Sequence, residues 1–143
     1  MNLKKIFSSL LMMASALSFV ACGGSSGGGD GDAGKGYPES LAGYTMSFDA
    51  NNTFIFSAAE QVTGTRNGKA CAGTYEYREG ALTMRYELVF ADGSAPVKLE
   101  CAGTISGYVV ATGTGTYSCV ETNAETHVPT GDSFPTSFTL SSN

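Results

Sequence analysis

The sequence has no tryptophan and a single histidine, His127, and it is poor in cations, with eight Lys and Arg against thirteen Asp and Glu and a formal net charge of −5 over 143 residues. The shortage of basic residues excludes a nucleic-acid surface, which needs a basic face to neutralise phosphate. It also excludes a polybasic patch for anionic lipid. With one histidine and no C-x-x-C spacing, the usual zinc ligand sets are missing. No G-x-S-x-G, H-E-x-x-H, P-loop or EF-hand pattern occurs, so no cofactor, metal or catalytic set is marked. No apolar run reaches the roughly 20 residues of a membrane-spanning helix. From Tyr37 onward no stretch keeps helical spacing, and the length suits one domain.

What the chain does have is glycine, 19 in all, and a period of two. In "ALTMRYELVF" (81–90), Leu82, Met84, Tyr86, Leu88 and Phe90 share one face, and Thr83, Arg85 and Glu87 the other. That is a strand with one wet side. "CAGTYEYR" (71–78) alternates likewise, and Glu79-Gly80 between them suits a two-residue hairpin turn. Pairing Arg78 with Ala81 sets Tyr77 against Leu82 and Tyr75 against Met84, so turn and pattern agree on register. "PVKLECAGTI" (96–105) and "YVVATGTGTYSC" (108–119) continue the meander around a Ser106-Gly107 turn. In the second run the solvent-facing threonines 112, 114 and 116 send Val109, Ala111, Tyr117 and Cys119 inward. A strict two-residue turn gives the opposite parity, which predicts a longer turn or a bulge. "YTMSFD" (44–49), "TFIFSAA" (53–59), "QVTGTR" (61–66, before Asn67-Gly68) and "SFTLS" (137–141) complete the set.

The expected fold is therefore all-β, an antiparallel meander of seven or eight strands over residues 37–143. It can close into an up-and-down barrel or form a β-sandwich, and the liability of open edges favours closure. Arg85, Glu87, Lys98 and Glu100 on the outer faces argue against a membrane-spanning barrel. "LAGYTMSF" (41–48) and "AGTYEYREGALTM" (72–84) resemble bacterial lipocalin-like domains, which begin Leu-x-Gly-x-Trp and later carry Gly-Thr-Tyr before a tight turn; Tyr44 stands in the Trp position. The resemblance covers about 45 residues, implies a barrel, and raises a lipophilic pocket as a second reading of the inward stripe Tyr75, Tyr77, Met84, Tyr86, Leu88, Val97 and Leu99. The first reading of that stripe is a filled core.

Three cysteines lie in this body. On the expected register Cys71 is level with Leu88 and Val97, and Cys119 falls near the same end of the sheet. Cys101 sits level with Met84, about 13 Å further along at 3.3 Å per residue. A bridge needs Cα atoms within about 7 Å, so Cys71–Cys119 is the first expectation, with Cys71–Cys101 or no bridge as alternatives. The loop 121–135 is long and polar; His127 with Glu121, Glu125 and Asp132 is the one place where an acid–base cluster could assemble. A solvated loop is the plainer reading.

The N-terminus has a different character. Lys4 and Lys5 precede a mostly apolar stretch, Ile6–Val20, which fits the h-region of a secretory signal. "FVAC" (19–22) resembles the lipobox of bacterial lipoprotein signal peptides, with Phe19 where Leu is usual. The resemblance implies cleavage after residue 21 and lipid on Cys22. Gly23, where some lineages place a retaining Asp, implies the outer membrane of a Gram-negative envelope. A competing cut after Ala16, at Ala14-Ser15-Ala16, would leave the chain unlipidated. Residues 22–36, "CGGSSGGGDGDAGKG", read as a flexible tether with a reach of roughly 20 Å. Asp30 and Asp32 within it read as linker rather than a calcium site. Without residues 1–21, six basic residues face thirteen acidic ones, a net −7. The expectation is an anchored envelope lipoprotein whose β domain binds or interacts, with the membrane as one partner through Cys22 and a small apolar ligand or envelope protein as another. A passive envelope component, or a hydrolase using the 121–135 loop, is the alternative.

Overall fold

A computed structural model describes residues 34–143. The signal segment, Cys22, the Asp30-Gly31-Asp32 stretch and nearly all of the tether lie outside the described residues. Eight strands follow in order: β1 (Tyr44–Asp49), β2 (Asn52–Phe56), β3 (Gln61–Arg66), β4 (Lys69–Arg78), β5 (Ala81–Val89), β6 (Val97–Val109), β7 (Thr114–Asn123) and β8 (Ser137–Ser142). Each pairs with its neighbours in sequence, and β8 returns to β1, so the sheet is a closed up-and-down barrel rather than a sandwich. Closure removes both free edges. No helix occurs among the described residues.

The turns are set by chemistry visible in the sequence. Asn67-Gly68 and Glu79-Gly80 both have positive φ at both positions (52° and 73°; 49° and 87°), the conformation of a tight hairpin turn whose twist matches its strands. The expected β4–β5 register is present, with Arg78 opposite Ala81, Tyr77 opposite Leu82 and Tyr75 opposite Met84. Met84 lies level with Cys101, and Leu88 with Val97.

The β6–β7 hairpin departs from expectation. Strand β6 runs through Ser106-Gly107 to Val109, with a bulge between Ser106 and Val109, and the chain reverses at Val110–Gly113 instead. A longer turn or a bulge was expected; both are present, and the bulge restores the parity that buries Tyr117. Moving the reversal outward, however, slides every β7 partner along the sheet. Cys119 now faces Gly103, two residues from Cys101, rather than lying level with Cys71. Val109 is 49% exposed and Ala111 sits in the turn. At its far end β7 continues to Asn123, so Glu121 belongs to a strand and not to the loop.

Inward side chains fill the barrel. Met46, Phe54, Phe56, Val62, Leu82, Met84, Ile105 and Tyr117 are fully or almost fully buried. Of the expected inward stripe, Tyr75, Met84, Tyr86, Leu88 and Leu99 are buried, and Tyr77 and Val97 pack against them part-buried. Glycine occupies inward positions on β3, β4 and β6. A Cβ on Gly73 would stand 1.9 Å from the Arg85 carbonyl oxygen, and one on Gly103 would stand 2.1 Å from that of Ser118. Neighbouring strands cross too closely there for any side chain, as at the bent corners of small barrels.

The two mouths are closed by different segments. At the lower mouth, where the chain enters β1, residues 34–43 fold across the opening. Leu41 is 1% exposed, the Tyr77 hydroxyl donates to the Pro38 carbonyl, and the Tyr108 N–H donates to the Gly36 carbonyl at 3.0 Å. At the upper mouth the β7–β8 connection, residues 124–136, doubles back over the end of β7. The Asn123 N–H donates to Val128 at 2.9 Å and the Thr130 N–H to Glu121 at 3.0 Å.

Candidate functional site

The most chemically distinctive place in the barrel is beneath that upper connection. Arg66 ends β3 on the inward register of Val62, and Glu121 lies on the inward register of Tyr117. Their side chains meet inside the barrel and are 1% and 2% exposed. Nε of Arg66 donates to Oε2 of Glu121 at 2.8 Å and Nη2 donates to Oε1 at 3.2 Å, a paired contact of two parallel bonds. Nη1 donates to the side-chain carbonyls of Asn52, at 3.0 Å, and Asn67. Nη2 also reaches the Ser133 carbonyl at 3.5 Å. All five N–H donors of the guanidinium are thereby engaged.

Glu121 is equally saturated. Besides Arg66 it accepts from the Tyr86 hydroxyl and from Oγ1 of Thr130 at 3.1 Å. Burial drives its pKa upward, but the bonds from Arg66 and Tyr86 outweigh that and hold the carboxyl below the ordinary glutamate value. Burial likewise disfavours the charged guanidinium, and Glu121 more than compensates. The Tyr86 hydroxyl is pushed far up, first by burial and then by the adjacent carboxylate. Two charges taken out of water need such complete hydrogen bonding to persist. Phe134 lies across the pair, its ring centroid 4.6 Å from Cζ of Arg66. It stacks on Phe54 at 5.9 Å and meets Phe48 and Tyr117 edge-on at 5.3 and 5.8 Å. The connection thus pushes an aromatic plug into the mouth and ties itself to the ion pair through Thr130 and Ser133.

The alternative acid–base cluster of His127 with Glu121, Glu125 and Asp132 does not form around this carboxylate. Glu121 points into the barrel, whereas His127, Glu125 and Asp132 are exposed on the connection. A carboxylate with four donors and no route to water is a structural anion. The expected Cys71–Cys119 pairing is not made either. The sulfur of Cys119 lies 2.7 Å from that of Cys101, and Cys71 stands buried and apart, with burial pushing its thiol up to about 11. No group of three metal-ligating side chains occurs among the described residues.

Recesses open on the outer surface of the barrel. A recess of about 420 Å³ lies where β7 and β8 share only three residue pairs. Its rim carries the hydroxyls of Ser47, Thr114, Thr116, Ser137 and Thr139, with Phe48 and Phe138 between them. A second recess of about 330 Å³ spans the outer side of β4, β5 and β6 near Gly73. Across that face Arg85 bridges Glu76 at 2.7 Å and Glu100 at 2.8 Å. Neither Arg66 nor the hydroxyl-rimmed recess was foreseen. The signal for Arg66 was present: a charge at an inward position, two strand steps from Val62, just before a turn. Compared with protein-family models, with curated proteins and with solved structures, the chain matches none.

Proposed function

We propose that the chain is a lipid-anchored envelope protein whose barrel works as an interaction module through its outer surface, not as a carrier of a ligand held inside. The observation that supports this most is the filled and doubly closed interior. Aromatic and aliphatic side chains occupy the barrel, Leu41 closes one mouth, and Phe134 over the Arg66–Glu121 pair closes the other. Ligand-carrying barrels leave a cavity of some hundreds of Å³ enclosed by their walls. Here the recess of about 420 Å³ lies on the exterior, with hydroxyls suited to polar partners. The lipobox-like "FVAC" and the glycine-rich segment after it support the anchor, and an acidic chain leaves attachment to the covalent lipid rather than to charge.

Two measurements test the reading. Labelled palmitate supplied to bacteria making the full-length chain should label the wild type and not Cys22→Ala, which should leave the membrane fraction. Equal labelling of both, or a native N-terminus at Leu17, would remove the anchor. Titration with a fluorescent fatty-acid probe should give no saturable one-to-one binding. Tight stoichiometric uptake would return the barrel to the carrier class.

A further inference from the structure

Cys101 is buried on β6 and Cys119 half-buried on β7, and they are diagonal neighbours across the hairpin. Such neighbours ordinarily stand about 7–8 Å apart between Cα atoms, slightly too far for a bridge. Here Gly103, directly opposite Cys119, has no side chain. A Cβ at Gly103 would sit 2.5 Å from the Cβ of Cys119, so Cys119 occupies that space and its thiol is turned onto Cys101. The sulfurs are 2.7 Å apart, nearer than two unbonded sulfur atoms settle. Tyr117, next on the same inward face, donates to the Cys101 carbonyl at 3.3 Å and keeps that side of the pair filled.

We propose that Cys101 and Cys119 are joined by a disulfide that staples the β6–β7 hairpin, and that Cys71 remains a thiol. The oxidant is a disulfide donor, small-molecule or protein. Cys119, the more exposed of the two, loses its proton and attacks one sulfur of the donor. The donor's other sulfur leaves as a thiolate. Cys101 then gives up its proton and attacks Cys119, displacing the first donor sulfur as a second thiolate. Two protein S–H bonds are lost, one protein S–S bond is made, and the donor disulfide is reduced to two thiols. The chain in any disulfide-containing compartment can complete this, so the bond does not depend on lipid at Cys22.

The test uses the full-length chain, reduced, then equilibrated with oxidised and reduced glutathione, trapped with N-ethylmaleimide under denaturing conditions and cut with chymotrypsin. Cleavage after Tyr108 separates the two cysteines, so the bond appears as two peptides that part only on treatment with dithiothreitol. The expected result is that linked pair, with maleimide on Cys71, and the same link in Cys71→Ala. Maleimide on both Cys101 and Cys119, or a link from either to Cys71 or Cys22 in its place, overturns the assignment.

Discussion

At the upper mouth a guanidinium and a carboxylate are sealed under Phe134, while at the lower mouth the seal is made by Leu41 and a tyrosine bonded to a backbone carbonyl. Both exclude water, but they do so with different tolerances. The apolar closure is non-directional and degrades in proportion to the surface lost. The charged closure depends on every partner being in place, because removing one leaves the other ionised and buried. The long connection at residues 124–136 has few apolar side chains of its own, and the fixed acceptors and donors at Glu121, Thr130 and Ser133 give it one position where packing alone would leave several.

The largest effect expected from breaking this contrast follows Glu121→Gln, which strands Arg66 in the interior and should destabilise the domain by about 3–5 kcal/mol in urea unfolding. Replacing both partners, Arg66→Met with Glu121→Leu, should recover most of that loss. If the double variant is as unstable as the single one, the pair matters through its geometry and not its charge. Next in size, Leu41→Ala at the lower mouth should cost about 2–3 kcal/mol as a cavity-forming truncation, with no change in the acid limb described next.

pH separates the mouths further. Glu121 has a folded-state pKa below its ordinary 4.5, so its contribution is complete above that value and is lost as pH falls through the depressed one. Acid should therefore weaken the wild type more than the Arg66→Met/Glu121→Leu variant. Tyr77 is raised from 10 to about 12, chiefly by burial. Its contribution is complete below pH 10 and disappears as pH climbs through about 12. Tyr77→Phe should cost about 1 kcal/mol at neutral pH and flatten part of the alkaline loss while leaving the acid limb unchanged. Tyr86 supplies an alkaline component at the upper mouth, so that flattening is partial.

Most of the barrel was legible in the sequence because period-two alternation and the Asn-Gly and Glu-Gly turns are local signals. Strands β4 and β5 and their register follow from them directly, and β3 is marked by the Asn-Gly turn after it. The β6–β7 reversal was not legible, since Ser106-Gly107 has turn chemistry yet lies within a strand, and the bulge that absorbs it depends on pairing with β7. That single misplacement carried Cys119 to the wrong end of the sheet and Glu121 into a loop. The Arg66–Glu121 pair was hidden for the same reason: its partners are 55 residues apart, and with Glu121 assigned to the loop nothing placed its side chain on the inward face it shares with Tyr117.

The inward glycines at positions 64, 73 and 103 carry a consequence for how this shape is inherited. At each, a Cβ would run into the backbone of the adjacent strand, so the curvature of the wall is written in the main chain and not in what fills the hollow. Contour and contents are thereby encoded at separate sites. Methionines, leucines and phenylalanines of the lining can be traded for one another at constant volume while the outline holds, whereas a single added methyl at Gly73 forces two strands apart.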